Sequence, residues 1–300
     1  MNEFRSGFVC LIGRPNTGKS TLTNALVGEK VAITSSRPQT TRHTIRGIVH
    51  REDFQIVLVD TPGLHRPRTL LGKRLNDLVR DTYSDVDVIV LCIPVDEAIG
   101  PGDRWIYEQI REVAPRTTLV VAVTKIDKVP TGRVAAQLMA VNELVAEHAA
   151  AIVPVSATTG EQVELLIGVL VDQLKPGPAF YPDGELTDEP EETLMAEFIR
   201  EAALEGVRDE MPHSLAVVID EVSPREGRDD LIDVRAILYV ERDSQKGIVI
   251  GKGGARLKKV GSNARRQIER LLGTKVYLEL RVKVAKNWQQ DPKLLGRLGF

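Results

Sequence analysis

The chain has 300 residues, 42% apolar and 27% charged, and its 40 Lys and Arg nearly balance 42 Asp and Glu for a formal charge of −2. That length exceeds one small core and points to two domains, and the apolar content excludes a disordered chain. The longest apolar stretch, 86–95, is broken by Asp87 and too short to span a bilayer; no basic region precedes a long apolar segment at the N-terminus; and Cys10 and Cys92 sit in strand-like runs. A membrane span, a cleaved secretion signal and a disulfide framework are therefore not expected, and a cytoplasmic, reducing location is.

Residues 8–12 predict a strand, and a helix is predicted from about Gly18 to Gly28, with Leu22, Ala25 and Leu26 at helical spacing. Between them stands Gly13-Arg14-Pro15-Asn16-Thr17-Gly18-Lys19-Ser20, followed by Thr21. This fits GxxxxGK[ST] in the strand, loop and helix order that the motif needs. Its glycines let backbone N–H groups turn inward around a β-phosphate at a helix N-terminus. Lys19 supplies a cation to the β- and γ-phosphates, and Ser20 a hydroxyl to Mg2+. The chain is therefore expected to bind a nucleoside triphosphate.

A polar stretch at 34–42 reads as a loop. Strands follow at 44–50 and 54–60, the second ending in Asp60-Thr61-Pro62-Gly63, where a carboxylate at the carboxyl end of a strand can reach a metal beside the phosphate loop. Further strands at 86–94, 118–124 and 151–156 alternate with helices at 71–83, 104–112, 134–148 and 162–174. Residues 1–176 thus read as an α/β P-loop domain with a mostly parallel sheet, and the motifs fall at the carboxyl ends of its strands, where such sheets collect ligands.

In order and spacing, Gly13 to Ser20, Asp60 to Gly63, Thr124-Lys125-Ile126-Asp127 and Val155-Ser156-Ala157 resemble the signature set of the translation-factor-related GTPases. The resemblance implies GTP and GDP as ligands. Asp127 would receive the guanine N1–H and N2 amino hydrogens, Lys125 would pack along the base, and the Ala157 N–H would meet guanine O6. The family pattern is NKxD, and Thr124 replaces its Asn; a hydroxyl makes fewer hydrogen bonds than an amide, so a weaker tether between base motif and phosphate loop is expected. The resemblance further implies that Lys19, Ser20 and a loop threonine clamp the γ-phosphate and Mg2+, with Asp60 behind the metal through water and the Gly63 N–H on the γ-phosphate. The residue pattern leaves Thr40 and Thr41 both open as the metal ligand; the likeness favours Thr41, making Lys19, Thr41 and Gly63 the catalytic set. Where Ras-like enzymes place a water-orienting Gln, this chain has Leu64. Similar GTPases with an apolar residue there carry an Asn in the phosphate loop, matched by Asn16, which assists a K+ ion. Slow intrinsic hydrolysis, accelerated by K+ or by a bound partner, is expected.

Residues 177–190, rich in Pro, Gly and acidic side chains, read as a linker. An amphipathic helix is predicted at 192–209, with Leu194, Phe198, Ala202 and Val207 as its buried face, then strands at 214–221 and 231–241 and a cleanly alternating strand at 275–284. Charge is uneven here. Residues 183–233 hold 4 basic and 17 acidic side chains, whereas 245–300 hold 14 basic and 3 acidic, which implies a polyanionic partner, nucleic acid or an acidic lipid surface.

Ile248-Val249-Ile250-Gly251-Lys252-Gly253-Gly254 resembles the IGxxG centre of a type-2 KH domain, which implies a smaller α+β RNA-binding domain over 191–300. Ile250, Gly251, Lys252, Gly253 and Gly254 would clamp the sugar-phosphate chain of about four unstacked nucleotides. Arg256, Lys258, Lys259, Arg265, Arg266 and Arg270 would extend the positive field. Aromatic residues make up only 4% of the chain, so stacking platforms are not expected, and Trp288 reads as a partly packed C-terminal anchor.

A GTPase domain joined to a type-2 KH domain, with Pro38-Gln39-Thr40-Thr41-Arg42-His43 between the first helix and second strand, resembles the Era family of bacterial ribosome-assembly GTPases along essentially the whole chain. The resemblance implies binding to the 3′ end of 16S rRNA and to the 30S subunit precursor, favoured in the GTP state, and peripheral association with the inner face of the cell membrane. A monomer is expected. A second reading keeps the GTPase but assigns its task to the membrane or to cell-cycle signalling, with the basic surface on acidic lipid.

Overall fold

The computed structural model describes residues 3–34, 45–64, 69–205 and 214–298. The expected metal ligand Thr41 and its neighbour Thr40 lie outside them, as do the other residues at 35–44. The chain divides into two compact units, the first centred on 1–188 and the second on 189–300, with the described residues 33–34 and 69–72 grouped with the second.

In the first unit, the strands are β1 (Arg5–Ile12), β2 (Ile45–His50), β3 (Phe54–Asp60), β4 (Val88–Pro94), β5 (Thr118–Thr124), β6 (Ala149–Val155) and the two-residue β7 (Lys175–Pro176). They lie in the order β2-β3-β1-β4-β5-β6, with β7 paired to the start of β1. All central pairings are parallel; β2 runs antiparallel to β3 at the edge, and β7 antiparallel to β1. β4 is buried over its whole length, as a strand covered on both faces must be. Alternate residues feed two apolar layers. Val9, Leu11, Val90 and Val120 pack with Leu22 and Leu26 of α1 (Lys19–Val27) and Leu166 and Leu170 of α5 (Val163–Gln173). Cys10, Ile12, Leu91 and Val121 pack on the other side with Val79 of α2 (Leu70–Ser84), Ile106 and Ile110 of α3 (Pro101–Val113), and Val141 of α4 (Thr131–Val145). Each such fully buried aliphatic side chain contributes roughly 1.5–3 kcal/mol.

The segment expected as a linker is docked on this unit up to Asp188. Ser6 Oγ donates to Pro178 O at 2.7 Å, and the Ile48 N–H on edge strand β2 donates to Leu186 O at 2.9 Å. Gln55, fully buried near the start of β3, accepts the Phe180 and Tyr181 N–H groups and donates to Tyr181 O. A polar side chain inside a sheet needs such partners, and the segment's backbone supplies them.

The second unit is a three-stranded sheet in the order β10-β9-β8, from β8 (Ala216–Arg225), β9 (Arg228–Val240) and β10 (Lys275–Val284); β8 and β9 are antiparallel, β9 and β10 parallel. One face packs on α6 (Glu191–Leu204), α7 (Asp243–Ile250) and α8 (Ala255–Leu272) through Leu194, Phe198, Val249, Val260, Ala264 and Ile268. The helix predicted to Asp209 is described only to Leu204, and Val207 lies outside the described residues. After β10 the chain ends in a short helix, α9 (Pro292–Arg297). Trp288 is completely buried and its Nε1 donates to Ser214 O at 3.1 Å, the anchor that its position predicted. Among the described residues no helix is long and apolar enough to cross a membrane.

Candidate functional site

The nucleotide motifs converge at the carboxyl ends of the parallel strands. Leu11, near the end of β1, is in register with Asp60 at the end of β3, while Pro94, Thr124 and Val155 align at the ends of β4, β5 and β6. The loop leaving β1 carries Gly13, Pro15, Asn16 and Thr17 and delivers Lys19 as the first residue of α1, after Gly18 in a left-handed conformation; Ser20 and Thr21 follow in its first turn. Asn16 is also left-handed, with φ 65°. Asn and Gly reach this region at lower cost than most residues, so the loop can curl its backbone inward.

Lys19 is buried, and its Nζ donates to Gly13 O at 3.1 Å and Arg14 O at 2.9 Å. Burial pushes this ammonium below its usual pKa, against the opposing pull of Asp60. Asp60 is fully buried, and the next residue, Thr61, ties the end of β3 to β1 by donating Oγ1 to Leu11 O at 2.9 Å. Gly63 brings the chain after Asp60 against the phosphate loop: a Cβ there would lie 2.8 Å from the Pro15 N and 2.9 Å from its Cα, so only glycine permits the approach. Leu64 is buried among apolar side chains on the α2–α4 side of the sheet, where it presents nothing that orients water.

On the base side, Lys125 is left-handed, with φ 63°, and it leads into a single 3-10 turn containing Ile126 and Asp127. Ser156 Oγ donates to Asp127 Oδ1 at 2.6 Å, so two of the predicted base-recognition residues meet and the carboxylate is oriented; Val155 and Ala157 flank that serine. The tether expected to be weak is a short one. Thr124 Oγ1 donates to Thr17 O at 2.5 Å in a setting where both residues are buried, joining base motif to phosphate loop directly. A hydroxyl offers only one donor, but here it is aimed at the loop by a β-branched side chain at the end of a buried strand.

Cys10 and Cys92 lie fully buried beneath this site as free thiols. Burial pushes Cys92 up to about 12 and raises Cys10 as well, which keeps both as inert packing groups.

In the second unit, α7 ends at Ile250 and the chain turns through Gly251, Lys252, Gly253 and Gly254 into α8. Gly251, Gly253 and Gly254 have φ of 74°, 58° and 79°, positive values that side-chain-bearing residues rarely adopt. Lys252, Lys258 and Lys259 are exposed, while Ile250 packs partly against the unit's core. The Arg256 guanidinium donates to Ala203 O and Glu205 O, both at 3.0 Å, and so secures the C-terminal end of α6.

The clamp opens onto a groove of about 350 Å3 between α8 and edge strand β10, lined by Gly254, Leu257, Lys258, Gly261, Ser262, Arg265, Tyr277, Leu278 and Leu280. Leu257, Gly261, Ser262 and the three β10 residues were not among the expected contacts. The α8 members follow the clamp at helical spacing, and that phase could have found them. The strand members become neighbours of the helix only through the fold. Arg225 stacks over the Tyr277 ring at 4.4 Å, a cation–π contact at the groove's edge.

Residues 8–125 match the family described as 50S ribosome-binding GTPase, and residues 210–289 match the KH domain family. The chain is 84% identical over 300 residues to GTPase Era of Mycobacterium sp. (strain KMS), with both chains covered completely. It is 82% identical, again over the full length of both, to GTPase Era of Mycolicibacterium smegmatis. Among solved structures, it superposes with a TM-score of 0.94 and 34% identity, over 99% of each chain, on Era in complex with MgGDPNP and nucleotides 1506–1542 of 16S ribosomal RNA. The same TM-score, identity and coverage hold for a variant of Aquifex aeolicus Era bound to GDP·AlF4−.

Proposed function

The chain belongs to the Era family of GTPases, and from that premise we propose a GTP-hydrolysing switch that binds 16S rRNA near its 3′ end and assists assembly of the 30S subunit and processing of its RNA. Residues 1–176 carry the nucleotide in this reading, 191–300 carry the RNA, and 177–190 join them. The observation that carries it is the pairing, in one chain, of a loop that buries Lys19 beside Asp60 with a glycine clamp that opens onto a basic groove.

Each residue then has a physical task. The loop N–H groups and Lys19 hold the β- and γ-phosphates, and the Gly63 N–H holds the γ-phosphate, so hydrolysis releases the segment after Asp60. Asp127, oriented by Ser156, accepts two hydrogens from guanine, whereas adenine presents one donor and one acceptor at the same edge. Ser20 and Asp60 offer hard oxygen donors of the kind Mg2+ takes together with phosphate oxygens and water. When bound, Mg2+ neutralises charge developing on the transferred phosphate. Thr41 is assigned to the metal by family likeness. With Leu64 in place of a water-orienting residue, hydrolysis is slow, and Asn16 supports K+ as the accelerating ion. On the RNA side, Lys252, Lys258 and Lys259 meet phosphates, and Leu257, Leu278 and Leu280 give the groove an apolar floor for unstacked bases. In this reading the protein works as a monomer in the cytoplasm.

Crosslinking of the full chain to cellular RNA, with and without a non-hydrolysable GTP analogue, tests this reading. Enrichment of the 16S 3′ end with the analogue is expected. Binding to acidic-lipid vesicles without any such enrichment would replace it with a membrane or signalling role.

A further inference from the structure

The phosphate loop is braced by side chains that no nucleotide motif contains. Arg14 donates Nε to Asp103 Oδ1 at 2.7 Å and pairs Nη2 with Glu97 Oε2 at 2.9 Å. Asp103 is only 1% exposed, and an aspartate is almost never so buried unless paired. Its other oxygen accepts the Gly100 N–H at 2.9 Å, so one carboxylate both caps α3 and receives the guanidinium. The start of α3 also presses on the arginine stem, since a Cβ on Gly102 would lie 2.7 Å from Arg14 Cδ. Clamped in this way, Arg14 turns its own carbonyl toward Lys19 Nζ, at 2.9 Å, and Thr17 Oγ1, at 3.0 Å.

The same connection between β4 and α3 supports the base side. Asp96 pairs with Lys125 Nζ at 3.4 Å, and Gln137 of α4 donates to the Pro94 and Glu97 carbonyls. Phosphate loop and base motif therefore rest on one short segment, itself held by α4.

We propose that Asp103 is a positioning residue for nucleotide binding: through Arg14 it fixes the phosphate-loop carbonyl that steers the Lys19 ammonium. It touches no nucleotide itself, and the inference rests on the GTP-binding reading above. Two charge-assisted hydrogen bonds to one guanidinium hold geometry better than neutral contacts do. A loop already held in its binding geometry spends less of its binding energy on ordering. Burial alone would lower the Arg14 pKa, but the Asp103 and Glu97 carboxylates outweigh it and keep the guanidinium charged.

The test uses the full chain and fluorescent GDP and GTP. In Asp103→Asn the amide oxygen can still cap Gly100, but its N–H2 faces the Arg14 donor, so the brace is lost and the cap kept. Both nucleotides are expected to bind about tenfold more weakly, a change near 1.4 kcal/mol. KM for GTP should rise in step while kcat at saturation stays within about twofold. Arg14→Met should weaken binding as much, and the double variant no further than Arg14→Met alone, because the two residues act as one unit. Asp103→Asn binding GDP as tightly as wild type, or losses that multiply in the double variant, would overturn the brace alone. Wild-type protein binding neither nucleotide would overturn both this inference and the GTP reading. Should Asp103→Asn fail to fold, Glu97→Gln at its half-exposed position decides: about threefold weaker binding, vanishing in the Arg14→Met background, supports the brace, and unchanged binding rejects it.

Discussion

Replacing Thr124 by valine keeps the shape of the side chain and removes one hydroxyl, and with it the bond to Thr17 O. That bond is 2.5 Å long, Thr124 is 4% exposed and Thr17 1%, so water cannot reach the carbonyl that loses its partner. Leaving a buried acceptor unsatisfied costs about 1–3 kcal/mol, so the middle of that range is about 2 kcal/mol. On a unit of this size that corresponds to a fall of roughly 4–8 °C in the melting transition. Scanning calorimetry reads it directly, with the transition of the first unit identified as the one that GDP shifts upward. Because the bond joins phosphate loop to base motif, GDP affinity should fall about threefold to tenfold, while the preference for guanine over adenine, set by Asp127, stays. Wild-type melting together with wild-type GDP affinity would show that the hydroxyl contributes nothing net, and the tether reading would be wrong.

Three further outcomes follow from named contacts. Asp127→Asn should exchange guanine for xanthine preference in competition between GTP and XTP, because the amide presents a donor where the carboxylate accepts; retained guanine preference would remove Asp127 from base recognition. Gly253→Asp places a carboxylate in open space at the tip of the clamp, at a φ of 58°, so specific RNA binding should be lost while GTP turnover persists within about twofold. RNA affinity surviving that change would dismiss the clamp. Trp288→Ala should destabilise the second unit by about 3–5 kcal/mol, since it empties a fully buried site and removes the bond to Ser214 O, and a separate calorimetric transition for that unit would report it.

The parts legible in the sequence are those whose physics is local. The phosphate loop, the Thr124 to Asp127 segment and the glycine clamp each consist of backbone conformations written into a few consecutive residues, such as left-handed Asn16, Lys125 and Gly253. The strands of the first unit were visible because the sheet is covered on both faces, so each strand is an apolar run. What stayed hidden joins residues distant along the chain. Arg14 and Asp103 are 89 positions apart, and nothing near either marks the other as its partner. Gln55 looks misplaced in an apolar strand until the backbone at Phe180 and Tyr181 lies against it. The same pairing explains why a Pro- and Gly-rich stretch that reads as a free linker is docked. Tyr277 and Leu280 enter the groove only because β10 folds beside α8. Arg256 has a second task that its place beside the clamp hides, since its guanidinium secures the end of α6.

The central claim, that the nucleotide controls an RNA-binding surface, is tested most directly by equilibrium binding of the full chain to an oligonucleotide of the 16S 3′ end, titrated in parallel with a GTP analogue and with GDP. The account predicts tighter binding with the analogue, and in both states a preference over a scrambled sequence of the same length. Equal affinity in the two nucleotide states, for either RNA, would contradict it.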